Sequence, residues 1–314
     1  MLLNDGKGHF RDATAQVAPQ LQQIGMVTDA AWQDLNGDRQ PELVVVGEWM
    51  PVTVFALEKG TLRDRSTAFL DKQYRGWWNK LLVGDFNGDK RADLVVGNLG
   101  LNAQCRVSDK QPAELFYKDF DDNGSVDPIL CFYMQGKSYP YVTRDELLDQ
   151  LSVMRTRFVD YAGYADAGLQ DIFTEQELQG AQRLLVNHLA TSYFAGSAGG
   201  RLEEKALPLA AQVAPVYALT ALDYNRDGLQ DLLLAGNMHQ ARLRFGRYDA
   251  NYGLLLQGDG QGGFRAVPQQ QSGFALKGDV RSILQINNTL LFGISQQGLK
   301  AYKNNNLKIS HQYQ

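Results

Sequence analysis

Apolar residues in this chain come in short runs divided by acidic, glycine-rich turns. Leu43-Val44-Val45-Val46-Gly47, Leu94-Val95-Val96-Gly97, Pro128-Ile129-Leu130 and Leu232-Leu233-Leu234-Ala235-Gly236 have the length and composition of buried strands. Each follows a second strand-like stretch and a loop of Asp and Asn. Strands A, B, C and D are predicted at 27–33, 42–47, 52–58 and 61–65. Later copies place A and B at 78–84 and 93–97, at 114–118 and 127–134, and at 216–222 and 231–236. The last of these adds C at 253–257 and D at 264–267. A fifth copy, 280–286 and 289–294 with 298–302 as a possible third strand, keeps the strands but has Asn287-Asn288 in place of the acidic loop.

Glycine-rich hairpins complete the unit. Leu2 to Thr14 reads as two strands joined by Asn-Asp-Gly, and the pattern returns at Leu254–Arg265 and, degraded, at Thr191–Leu202. A four-stranded sheet cannot bury both faces alone, so copies must stack. The expected fold is therefore all-β: a β-propeller of four-stranded blades, about five of them or part of a larger ring. The chain begins on strands C and D and ends on A and B, so its termini would pair if the ring closes. The second and third loops start closer together than the first and second, so the second unit is expected to lack full outer strands.

Between 143 and 190 the period lengthens. Leu147, Leu151, Met154 and Phe158 share a helical face behind a Thr143/Glu146 capping box, and Thr174/Glu177 repeats that box before Leu178, Ala181, Leu185 and Leu189. Tyr161, Ala165, Leu169 and Ile172 suggest a third helix. The expectation is one domain over 1–314, with an all-helical insertion at 143–190 in the third blade, whose outer strands would come from 191–205.

The acidic loops carry the candidate chemistry. Oxygen ligands fall at the first, third, fifth and ninth positions of each: Asp34, Asn36, Asp38 and Glu42; Asp85, Asn87, Asp89 and Asp93; Asp119, Asp121, Asn123 and Asp127; Asp223, Asn225, Asp227 and Asp231. Six to eight oxygens around one hard cation is the demand of calcium, and loop length and flexibility favour it over magnesium. An EF-hand needs an acidic twelfth position, but here that position is Val45, Val96, Leu130 or Leu234. Up to four structural Ca2+ ions are expected, acting as cross-links because a closed oxygen cage leaves no water to activate.

Charge then changes meaning. The net charge of −4 would become about +4 with four divalent cations bound. No basic run tracks phosphates, so nucleic acid is not an expected partner. No apolar run spans a membrane, and Met1–Gly6 lacks signal-peptide features, so any export signal is expected outside these residues or not to exist. Cys105 and Cys131 permit one disulfide, with a buried thiol the simpler reading for Cys131.

These loops, each followed by an apolar strand and three of them by a glycine, resemble the FG-GAP or VCBS repeats of integrin α-like propellers. The helical stretch and the segments around Ala211–Val216, Gly246–Ala250 and Ser272–Phe274 are similar to the C-terminal part of long Bacteroidetes VCBS proteins of the ASPIC/UnbV type. Glu42 departs from the usual ninth-position Asp, and the last unit has no loop. The resemblance implies a calcium-binding propeller at the outer-membrane surface or outside the cell, part of a longer polypeptide.

Ligands are expected on the face opposite the loops. It would collect Glu48, Trp49, Trp77, Trp78, Asn98, Asn237, His239, Arg247 and Tyr248, suited to a glycan or a protein. The first reading is a non-catalytic surface recognition or adhesion module. A second is a lyase-like polysaccharide enzyme using His239, Arg247 and Tyr248 of the 237–252 loop, since the four histidines, His9, His188, His239 and His311, form no other catalytic pattern. A third is a purely structural segment of a larger surface protein.

Overall fold

The structure, a computed structural model, describes residues 1–303; His311 lies outside them. The chain divides into two compact units, one made of Met1–Asn102 with Ala190 onward and the other of Ala103–Leu189. Both are built mainly of antiparallel strands, as expected of an all-β chain.

The first unit holds four larger sheets and a two-stranded one among the described residues. Sheet I has strands A to D at Met26–Gln33, Glu42–Pro51, Thr53–Glu58 and Thr61–Asp64, with Arg75–Trp77 pairing on the far end of B. Sheet III runs A to D at Val216–Leu222, Asp231–Gly236, Leu254–Gly258 and Phe264–Ala266, and sheet IV has three strands among the described residues, Val280–Ile286, Thr289–Ile294 and Gly298–Lys303. The Leu2–Asn4 and Phe10–Asp12 hairpin pairs with itself. Among the described residues no strand pairing joins it to sheet IV, so the pairing of the termini that a closed ring would bring is not seen.

Sheet II corrects the sequence reading. Its A and B strands are Lys80–Gly84 and Asp93–Gly97, but its C and D strands are Ser192–Gly196 and Leu202–Lys205. Ser192, Tyr193 and Phe194 pair with Val96, Val95 and Leu94. The 191–205 hairpin thus completes the second sheet rather than the third, and 103–189 interrupts that sheet between B and C.

Strands B read as unbroken apolar runs because each side of the sheet has a core to fill. Val44, Val46 and Val54 of sheet I pack with Leu94, Val96 and Phe194 of sheet II. The other face of sheet II, Val95 and Tyr193, packs with Leu232, Leu234 and Leu256 of sheet III, and Leu233 and Leu255 pack with Leu290, Phe292 and Ile294 of sheet IV. Fully burying each such side chain contributes about 1.5–3 kcal/mol. The outermost face of sheet I, Leu43, Val45 and Phe55, is covered by Met1, Val17, Ala18 and Leu21. Sheet IV has no such cover in the described chain, and Leu284, Ile286 and Leu299 are exposed.

The second unit has its own sheet, ordered Lys137–Pro140, Asp127–Met134, Ala113–Lys118, Gln182–Val186. Its fourth strand joins strand A instead of C. Helical turns at Arg144–Gln150, Ser152–Thr156, Tyr161–Tyr164, Leu169–Ile172 and Glu175–Leu178 cover the face bearing Ile129 and Cys131. Both predicted capping boxes are present, at Thr143/Glu146 and Thr174/Glu177. The second helix stops after one turn, however, and Leu185 sits in a strand opposite Glu114, so 143–190 is not wholly helical. Gly180, at φ +80°, turns the chain between them.

Cys105 and Cys131 are separate buried thiols, their pKa values pushed by burial to about 11 and about 12.

Candidate functional site

All four acidic loops share one construction. The first-position carboxylate gathers loop N–H groups: Asp34 accepts from Gly37 and Arg39, Asp85 from Gly88 and Lys90, Asp119 from Asn123 and Gly124, and Asp223 from Asp227 and Gly228. The fourth and sixth residues of each loop take positive φ, and each loop places a glycine at one of them, Gly37, Gly88, Gly124 or Gly228. Burial works to raise the Asp34 pKa, but the N–H groups of Arg39 and Gly37 outweigh it and hold the group below its ordinary value.

The ninth-position carboxylate does a different job. Glu42, Asp93, Asp127 and Asp231 each accept the N–H of the loop's second residue, Leu35, Phe86, Phe120 and Tyr224, at 2.9–3.0 Å. In sheets II and III the other oxygen reaches across to strand C, where Asp93 accepts from Gly196 at 2.8 Å and Asp231 from Gly258 at 2.9 Å. Burial raises the pKa of Glu42, Asp93 and Asp231. A Cβ on Gly196 would lie 2.3 Å from the Ala92 carbonyl oxygen, and one on Gly258 2.2 Å from that of Gln230. These glycines therefore allow strand C to close on the loop, a role that sequence reading missed. The signal was the glycine at the same place in each C–D hairpin.

The third loop differs in a way that bears on metal. Carboxylate oxygens of Asp119, Asp121 and Asp127 lie within 4.8 Å of one another, and theirs is the one such group among the described residues. Asp121 Oδ1 is buried without a hydrogen-bond partner. An unpaired buried oxygen among converging carboxylates is a donor set that fits a hard divalent cation. In the first and fourth loops Asn36 and Asn225 instead turn Nδ2 toward Asp38 and Asp227.

At the opposite ends of strands B the chain places the predicted ligand face. Trp78, Asn98 and Asn237 are there but wholly buried. Trp78 donates to the Tyr74 carbonyl, Asn98 Oδ1 accepts from Trp77 and Leu99, and Asn237 braces Asn251 and Gly278. Burial leaves these three no surface to present. Tyr248 is also buried, its backbone bridged to Met238, while Arg247 is exposed.

Glu48, Trp49, Trp77 and His239 remain partly exposed. Trp49 and Trp77 meet edge to face with ring centroids 5.2 Å apart, and Glu48 is the cross-strand partner of Trp77. Burial raises the Glu48 pKa, and no hydrogen bond or ion pair to its carboxylate is found among the described residues. His239 Nδ1 is bonded to Asp279, whose other oxygen lies 3.3 Å from Arg281. Arg281 in turn stacks over the Tyr217 ring at 4.0 Å.

Tyr217, Asp279 and Arg281 escaped the sequence reading. Strand A of sheets I, III and IV carries a bulge at the same place, spanning Val27/Asp29, Val216/Ala218 and Val280/Ser282, so Thr28, Tyr217 and Arg281 are equivalent extra residues. Bulges re-aim side chains out of the pleat. Aligning Val27-Thr28-Asp29, Val216-Tyr217-Ala218 and Val280-Arg281-Ser282 would have exposed it.

Residues 34–96 match the FG-GAP-like repeat family. A search of curated proteins finds no match. Among solved structures, the biofilm matrix protein Bap1 of V. cholerae is similar over 89% of this chain and 63% of its own, at 11% identity and a TM-score of 0.29. The chain thus spans less than two thirds of that protein. A lectin of Agrocybe aegerita that recognises non-reducing terminal N-acetylglucosamine is similar over 90% of this chain and 81% of its own, at 13% identity and a TM-score of 0.20. Overlays this loose carry nothing about ligand or activity.

Proposed function

We propose that this chain is a calcium-stabilised, non-catalytic recognition module of propeller-type blades, acting at the outer-membrane surface or outside the cell on a glycan or protein. The observation that carries the reading is the edge-to-face pair of Trp49 and Trp77 beside Glu48, all partly exposed, at the end of strand B of sheet I away from the acidic loop. Aromatic rings beside polar groups that the fold does not consume suit a ligand with both an apolar face and hydrogen-bonding edges.

Calcium would be held by Asp119, Asp121 and Asp127, and by the corresponding residues of the other loops. It would supply a cross-link between strands A and B. The enzymatic alternative draws less support, because Tyr248 is buried, with its backbone bridged to Met238, while Arg247 stands exposed.

A glycan array and an immobilised panel of surface proteins, probed with the chain in calcium, test the proposal. Retention lost in Trp77→Ala supports it. No retention anywhere, or release of new reducing ends from a polysaccharide, would overturn it.

A further inference from the structure

The half-buried carboxylate of Glu48 is the least explained group in the first unit. Carboxylates removed from water are normally paired, and one without a partner is held at a cost. Glu42, Asp93 and Asp231 are buried too, but each accepts backbone N–H groups. Glu48 has no such support. Trp77 stands across the strand pair from it, and Tyr217 is close enough that the Glu48 charge contributes to raising the phenol pKa, after burial, which is the main cause. The carboxylate therefore stands beside the Trp49–Trp77 pair of sheet I, with the Tyr217 phenol of the sheet III bulge within range of its charge.

The neighbouring cation does not satisfy it. Arg281 donates to the carbonyls of Asn237 and Val280 and lies 3.3 Å from Asp279, so its donors are engaged between sheets III and IV and its charge is balanced by Asp279. It nevertheless lies flat on Tyr217, so this ring already serves as a platform for a cation. The nearby His239 has Nδ1 bonded to Asp279, so Nε2 is the ring nitrogen left to face a ligand. With Arg281 and Asp279 balancing each other, Glu48 is left beside aromatic rings without a counter-charge among the described residues. That combination disfavours an anionic polymer and favours a cation with an apolar flank.

Resting on the recognition reading above, we infer that Glu48, Trp77 and Tyr217 form a subsite for a primary ammonium group, carried by a glycan with free amino sugars. The paired indoles of Trp49 and Trp77 favour a sugar over a lysine side chain, since a pyranose presents a flat C–H face to the face of an aromatic ring while its amine reaches the carboxylate.

Isothermal titration of the full chain with glucosamine hexamer, N-acetylglucosamine hexamer and pentalysine tests this. The glucosamine hexamer should bind, the acetylated one at least tenfold more weakly, and Glu48→Gln should lose at least tenfold while melting no lower than wild type. Tyr217→Leu should also weaken binding, and Asp166→Asn, in the second unit, should not. Equal binding of both hexamers would overturn the ammonium subsite while leaving the recognition reading intact. Preference for pentalysine would overturn the amino-sugar assignment, and silence with all three probes would overturn the inference, while the array above decides the broader reading separately.

Discussion

The carboxylate of Asp93 accepts the N–H of Gly196 at 2.8 Å across 103 positions of chain. Between them lies the whole of the second unit. The same link in sheet III, Asp231 to Gly258, crosses only 27 positions. One local device therefore closes both sheets, and the interruption of sheet II leaves its geometry unchanged.

Removing that brace should cost more than removing an exposed loop ligand. Asp93 also accepts from Phe86 N–H and the Tyr193 hydroxyl, so Asp93→Ala strands three buried donors at about 1–3 kcal/mol each. Asp85→Ala frees only exposed N–H groups and should cost within about 1 kcal/mol. Urea unfolding of both variants in chelator checks the order, and equal losses would contradict it.

Gly196→Ala should be nearly as damaging, since the added carbon meets the Ala92 carbonyl at 2.3 Å and backbone cannot step aside. Gly124→Ala is the control, with open space around its Cβ but a φ of +86°. It should lose only about 1 kcal/mol from its backbone conformation. Thermal melts distinguish steric closure from turn strain.

Replacing 103–189 by a flexible Gly/Ser linker should leave sheet II paired. Ser192, Tyr193 and Phe194 find Val96, Val95 and Leu94, and Asp93 finds Gly196, without a residue of the second unit. A cooperative melt and native-like strand signal in circular dichroism are expected, and a molten or aggregated product would show that the second unit is needed to close the sheet.

Acid should loosen the second unit through Glu177. The Arg157 guanidinium, 2.9 Å away, and then the Thr174 N–H hold its carboxyl at about 2 against an ordinary value of 4.5. Because the folded pKa is the lower one, the stabilisation is complete above the ordinary value and is lost as pH falls from about 4.5 toward about 2. A carboxyl carbon NMR titration should place the midpoint well below the ordinary value. A midpoint above 4 would remove the pair from the account.

Much of the arrangement can be read directly from residue pattern. Strands Met26–Gln33, Asp93–Gly97 and Asp231–Gly236 fall within a few residues of their expected places, because a buried two-faced strand leaves an apolar run and the acidic loop fixes its start. Partner choice is not local. The 191–205 hairpin has the alternation of any outer pair, and nothing within it says that strand B lies beyond an inserted unit. Gln182–Val186 was misread because Leu178, Ala181 and Leu185 fit a helical period, while its pairing with Ala113–Tyr117 depends on distant residues. At the ligand face, Trp78, Asn98 and Asn237 were placed at the right ends of strands, but sequence does not show which polar groups turn inward to brace the next strand.

The central claim rests on metal in the acidic loops, and the direct measurement is a count of bound calcium alongside a thermal melt in calcium and in chelator. The account predicts binding of up to four ions, a melting temperature that rises with calcium, and Asp121→Asn removing the tightest site, because among the described residues only Asp119, Asp121 and Asp127 already converge. No bound calcium and an unchanged melt would contradict it, leaving the loops as turns that close on their own N–H groups.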